Sequence, residues 1–493
     1  MKPFLDVDAH RVAYHKSNNK NTVHRSSLIV PRLEQATSNI SFINHFLLKR
    51  NNKAVVLKIT AINDNGIVED SLSIEINEPK VYTFDLENLF AEVSNIQEYL
   101  IEFYSDKNLF IPFPAVMVNH IGMDFINCVH SYNRVLNDVF EDDKVNKHQV
   151  FESSIDVLMD NDYDTFFNFA TGPFKVKDNL QISLIEEDKT YKQITVEMNR
   201  LTNKNIFLSD LYKSDSLRTT LKILQPKQPL FYGRLFAGKI HRKTKAFSAN
   251  HSYYDSSSTE EYFDNGVSMR KYPFFNNCLN KVTMYPIMSP SLLNVCIEIY
   301  DGTKTYTSDT QIIESPSNIP ISFDINMLVE ESGFTNVSLF KVIATSSTGK
   351  IPTRVNHQLI YGDKNSSSKL YCSINSSLIN ESIFTPPLKT GLTWGQILVN
   401  KSYESRLGIC FINNSGIADE VSIDFYGKLG LIKSIKQNLA SNYSLIFDNY
   451  FFNELNTPNE FIWYLVKSNR ADLQAESFHY HLLSGNASGE HSF

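Results

Sequence analysis

The chain has 493 residues, 42% hydrophobic and 20% charged, which is enough apolar material for several separate cores. A formal net charge of −7, spread along the chain, gives a polyanion no attraction, so nucleic acid is not an expected partner. No apolar run reaches the length of a membrane span, and Phe and Tyr dominate the aromatic residues, as they do in strand-rich proteins.

Residues 1–25 are polar and read as an N-terminal arm. They lack the apolar segment of a secretory leader, so cytoplasmic synthesis or a place in a particle is expected. Their histidines, His10, His15 and His24, are spaced unlike any common metal-ligand pattern. A first unit is expected over residues 1–145. Residues 55–61 and 72–76 read as strands, and Leu72, Ile74 and Ile76 alternate so that one face meets a core. A further strand is expected at residues 99–104, and the charged stretch 138–144 closes the unit.

The second unit is expected over residues 146–265, with strands at 180–185, 194–198 and 217–224. It contains Asp160, Asp162 and Asp164, an alternation that calcium loops use. The glycine and closing glutamate of such a loop are missing, so a plain acidic turn is expected. The basic run 239–245 reads as a solvated hairpin tip, and residues 256–261 as a polar exit. The third unit, 266–375, places Pro286, Pro290, Pro316 and Pro320 between its strands, where proline protects edges. The fourth unit, 376–493, repeats the pattern with Val421, Ile423 and Phe425 and with Phe461, Trp463 and Leu465.

Two markers recur in the same order at intervals of about 120 residues, the signature of duplicated units of domain size. One is an apolar run closing on an aspartate: Asp85, Asp210, Asp324 and Asp448. These carboxylates could serve acid–base chemistry, but their place before a turn favours helix capping. The other marker is a histidine on a late strand with tyrosines near it. It is met at His130 and Tyr132, at His251 with Tyr253, Tyr254 and Asp255, at His357 with Tyr361, and at His479 and His481. Small or apolar residues flank the first three histidines, which turns them toward a core; a groove-facing binding site is the functional alternative.

The expected fold is all-β: four tandem antiparallel β-sandwich units. In strand count, helical corner and length the pattern resembles immunoglobulin-like bacterial sandwich modules. The cysteines (Cys128, Cys278, Cys296, Cys372 and Cys410) are odd in number and form no CxxC, so reduced thiols are expected.

No serine-nucleophile elbow, phosphate-cradling glycine loop or zinc-protease helix occurs. No cofactor or metal is expected. Copying a whole unit suits scaffolding and valency better than catalysis. The leading expectation is therefore a non-catalytic structural or adhesive protein, its partner a protein or glycan surface. Alternatives are a component of a virion or polymeric appendage, and an enzyme acting on carbohydrate or using metal near the histidine-rich C-terminal unit.

Overall fold

The computed structural model describes residues 2–3, 24–105, 115–130, 132–135, 151–185, 190–213, 220–229, 231–232, 234–254, 261–285, 292–313, 320–380, 390–412, 418–457 and 459–493. Asp255, His10, His15, Pro286, Pro290, Pro316 and the charged stretch 138–144 lie outside the described residues.

The chain is nearly all β, and one strand order recurs four times. Each copy has eight strands in two antiparallel sheets. One sheet runs fourth, third, sixth, first; the other runs fifth, second, seventh, eighth. The second–fifth and third–sixth pairs match the B–E and C–F pairs of an immunoglobulin sandwich, while here the first strand lies beside the sixth and the seventh beside the second. In the first copy the strands are His24–Pro31, Thr37–Ile43, Val55–Asn63, Val68–Glu75, Val81–Asp85, Ile96–Ser105, Met117–Ile121 and Ile126–Val129. The second copy runs from Phe151–Asp156 to Phe247–His251, the third from Val267–Pro273 to Cys372–Ser377, and the fourth from Gly391–Val399 to Ala487–His491.

The described chain divides into two compact units. One, within residues 10–255, holds the first and second sandwiches. The other, within 256–493, holds the third and fourth, together with Lys2–Pro3, which pairs in parallel with Glu261 and Tyr262.

Alternating apolar residues build each core. In the fourth sandwich Leu407, Ile409 and Phe411 meet Val421, Ile423 and Phe425 and then Ile462, Tyr464 and Val466. Each such side chain contributes about 1.5–3 kcal/mol on burial. The strand Glu460–Ser468 departs from the sequence pattern because Phe461, Trp463 and Leu465 are buried too. Their face is covered in part by Phe493, whose ring lies 6.0 Å from Trp463 and 6.1 Å from Trp394. The strand Val68–Glu75 departs the other way. Leu72 is exposed and Ile74 half-buried on this strand, the outermost of its sheet among the described residues.

Within the unit of residues 256–493, the third and fourth sandwiches touch at a glycine. A Cβ on Gly408 would lie 2.3 Å from Pro273 Cβ, so only glycine admits the first strand of one sandwich against the second strand of the next.

A helical turn joins the fifth strand to the sixth in every copy. Asp85 accepts from Asn88 N at 3.1 Å, Asp324 from Met327 N at 3.1 Å, and Asp448 from Tyr450 N at 3.0 Å. These three are N-caps, as their sequence position implies. Asp210 instead closes the turn Leu208–Asp210, which starts from Phe207 without a side-chain cap. Replacing Asp324 with alanine is therefore expected to destabilise its sandwich by about 1 kcal/mol, and Asp210→Ala to change little. Urea denaturation of the two variants checks this; equal losses would contradict the assignment.

Candidate functional site

After its eighth strand each sandwich sends the chain across to the opposite sheet, beside the first strand. In the second, third and fourth copies one hydrogen bond marks this crossing. Ser252 N donates to Leu235 O at 2.7 Å, Leu378 N to Val355 O at 3.1 Å, and Ser492 N to Ala475 O at 2.8 Å. His251 stands at this step, and His130 follows the eighth strand of the first copy directly.

In the unit of residues 10–255 the structure brings these two together, with ring centroids 4.9 Å apart and nearly perpendicular. His251 Nδ1 lies 2.8 Å from Ser252 O and 3.4 Å from Arg234. The carbonyl, the nearer partner, only accepts, so Nδ1 carries a proton toward it; the Arg234 guanidinium, which only donates, is then a neighbouring cation and not a hydrogen-bond partner of that nitrogen. Burial, with help from the Arg234 charge, pushes His130 down to about 3, so it is neutral at physiological pH. By itself this pair supplies two of the three or four ligands that a structural zinc takes. Tyr132 is fully buried against Phe236 at 5.3 Å. Tyr253 and Tyr254 form a short strand on Ser153 and Glu152. His120, which no sequence marker signalled, sits between Phe236 and Phe247 and is pushed to about 3 by burial.

In the other unit the marker shifts position. His357 lies early in the seventh strand, Asn356–Asp363, and not at the crossing. Its Nδ1 donates to Val355 O at 3.2 Å, and its Nε2 accepts from the Tyr272 hydroxyl at 2.6 Å. Ser376 Oγ lies 2.8 Å from the same hydroxyl. This serine–tyrosine–histidine relay is wholly buried. Tyr361 donates to Pro273 O at 3.1 Å and packs on Phe275 and Phe478. His479 is buried beside Tyr403, and His481 is half-buried at the start of a tight turn.

The structural counterparts are therefore not the pairs that spacing joined. His481 matches His241. Each accepts backbone N–H groups on Nδ1 inside the turn, and each lies edge-on to a tyrosine at 5.0 Å, Tyr403 and Tyr163 respectively. His491 matches His251, since its Nδ1 also lies 2.8 Å from the next residue's carbonyl, Ser492 O. The signal that finds it is local: histidine, serine, then an aromatic residue, at 130–132, 251–253 and 491–493. The third copy has Ser377, Leu378 and Ile379 there.

Two further candidates neutralise each other. Asp160 accepts from the backbone of Asp162 and Tyr163 at 2.9 and 2.8 Å, which makes a turn. Arg242, from the basic hairpin, bonds Asp160 O at 3.0 Å and pairs with buried Asp164 at 3.2 Å.

Sequence reasoning also missed an open cleft of about 660 Å³ on the first sandwich. It draws on four segments: Arg32 to Thr37, Glu87, Ile96 with Gln97, and the 121–123 turn. Glu87 Oε2 accepts from Ser38 N at 2.7 Å, and Arg32 donates to Ile96 O at 3.3 Å. Burial raises the Glu87 carboxyl above its ordinary value. A guanidinium, a carboxyl and an amide thus border one hollow, an arrangement fitted to hydrogen-bond a polar ligand.

Glu98 and Glu476 are fully buried carboxyls, each pushed up to about 8 by burial. Asn203 donates to Glu98 Oε2 at 2.9 Å, and Gln474 bonds Glu476 Oε1.

No protein-family model matches the chain, and no curated protein matches it. Among solved structures, one described as a tetra-tandem repeat in the extending region of a large adhesion protein aligns over 95% of this chain and 98% of that one. The identity is 8% and the TM-score 0.09, too low to carry an argument. No helix among the described residues is long and apolar enough to cross a membrane.

The buried acids give a pH prediction. The folded state holds protons on Glu98 and Glu476 that the unfolded chain releases above its carboxyl value of 4.5. Their contribution is whole below that pH and is lost as pH rises through about 8. Glu476→Gln is expected to flatten the fall in Tm across this window, and an unchanged profile would refute the assignment. Separately, Tyr272→Phe leaves His357 Nε2 and Ser376 without their shared partner and is expected to cost about 1–3 kcal/mol in chemical denaturation.

Proposed function

We propose that this chain is a non-catalytic repeat protein with a structural and adhesive role. Its sandwiches form the scaffold, and the cleft of Arg32, Glu87 and Gln97 takes a polar surface ligand, with glycan the leading class. The observation that carries this reading is the allocation of side chains. His130, Tyr132, His251, His357, Tyr361 and His479 are buried and packed, whereas the cleft is open and mixes apolar residues with Arg32, Glu87 and Gln97. A sugar presents dense hydroxyls that such a set of donors and acceptors recognises. The buried relay Ser376–Tyr272–His357 has no access for a substrate, which weighs against the enzyme alternative.

The test is a broad glycan array with the full chain, repeated with Arg32→Ala. Loss of a charged hydrogen bond is expected to weaken the retained glycan about tenfold or more. Failure of the native chain to retain any glycan, or equal retention by the variant, refutes the ligand assignment.

A further inference from the structure

The fourth strand is the outermost strand of its sheet in every sandwich, which leaves one row of backbone N–H and C=O groups without a neighbouring strand among the described residues. Proteins blunt such edges by shortening them, by proline or by charge. In the second sandwich the edge Thr190–Met198 mixes Lys192 with Glu197. In the third it is broken into Lys304–Thr307 and Gln311–Ile313.

The first and fourth sandwiches differ from these. Val68–Glu75, eight residues long, carries Glu69, Asp70 and Glu75 and no basic residue. Gly430–Leu439, ten residues long, carries Lys433 and Lys436 and no acid. Neither contains proline. Both also present apolar side chains to water: Val68 is 53% exposed, Leu72 38% and Leu431 57%. The lysines do have partners, Glu454 at 3.5 Å and Glu420 at 2.9 Å. Those pairs are solvent-exposed on both sides, so each is worth little and is readily exchanged.

We propose that the acidic edge strand of the first sandwich of one copy pairs with the basic edge strand of the fourth sandwich of another. Main-chain hydrogen bonds extend the sheet, and the opposite charges select the partner. Two acidic edges or two basic edges repel, so the contact is between unlike surfaces. An interface of that kind propagates: it gives a ring where the rotation closes and an open filament where it does not. This interaction deepens the structural half of the proposed function and does not depend on the cleft.

The test uses the full chain and two variants: Glu69→Lys with Asp70→Lys and Glu75→Lys, and Lys433→Glu with Lys436→Glu. Sedimentation velocity over a concentration series, at low and high salt, reads self-association. Far-UV circular dichroism confirms that each variant is folded. The native chain is expected to self-associate, less so in high salt. Each variant alone is expected to associate about tenfold more weakly or worse. Mixing the two variants restores association, because each then meets an edge of opposite charge. A native chain that stays monomeric at every concentration overturns the proposal. So does association that both variants retain, or a mixture that remains monomeric. Glycan retention is a separate readout, so either proposal can fail while the other stands.

Discussion

Each sandwich depends on how its chain is handed from one sheet to the other after the eighth strand. In the second, third and fourth copies the crossing residue's N–H is tied to a carbonyl near the start of the seventh strand, at Leu235, Val355 and Ala475. From there the chain runs beside the first strand of the facing sheet. Both sheets are thereby closed by one short segment that must pass through the layer between them. A polar backbone in that layer needs partners, and the crossing bond supplies one. Histidine suits the position because its Nδ1 satisfies the next residue's carbonyl, as His251 and His491 both do.

The polar groups inside these units pull stability in opposite directions with pH. His45, His120, His130 and His357 are all lowered by burial, to between about 3 and 4. They therefore support the fold above the ordinary histidine value and cease to do so as pH falls toward their own. Glu98 and Glu476 act in the reverse sense. Stability is thus bounded from both sides by burial, without surface ion pairs being decisive.

The architecture was legible in the sequence because strand alternation and capping aspartates are local features. Asp85, Asp324 and Asp448 each declare a corner through residues no more than three positions away. Asp210 misled because the turn there starts at Leu208, which leaves the aspartate at the end of the turn and not before it. Histidine spacing joined His481 to His251, although the two sit on different strands; a ten-residue offset is small beside the length of a module. Leu72 alternates as a core residue would, yet periodicity reports only the pleat, and burial depends on what covers that face. The cleft had no signature at all, because Arg32, Glu87, Gln97 and Met123 are brought together by tertiary structure alone. The site residues were legible as a recurring pattern, but only His130 and His251 of that pattern stand at the crossing, while His357, His479 and His481 lie on seventh strands.

The small parallel pairing of Lys2 with Glu261 and Pro3 with Tyr262 has a temporal meaning. Its first half is made before both sandwiches of the intervening unit, and its second half only after them. At about 5–20 residues per second, that delay is on the order of ten seconds or more. Over that interval the leading segment has no mate, while the first two sandwiches can fold behind it. That segment is thus held in reserve, and its docking waits until the chain beyond the second sandwich has emerged.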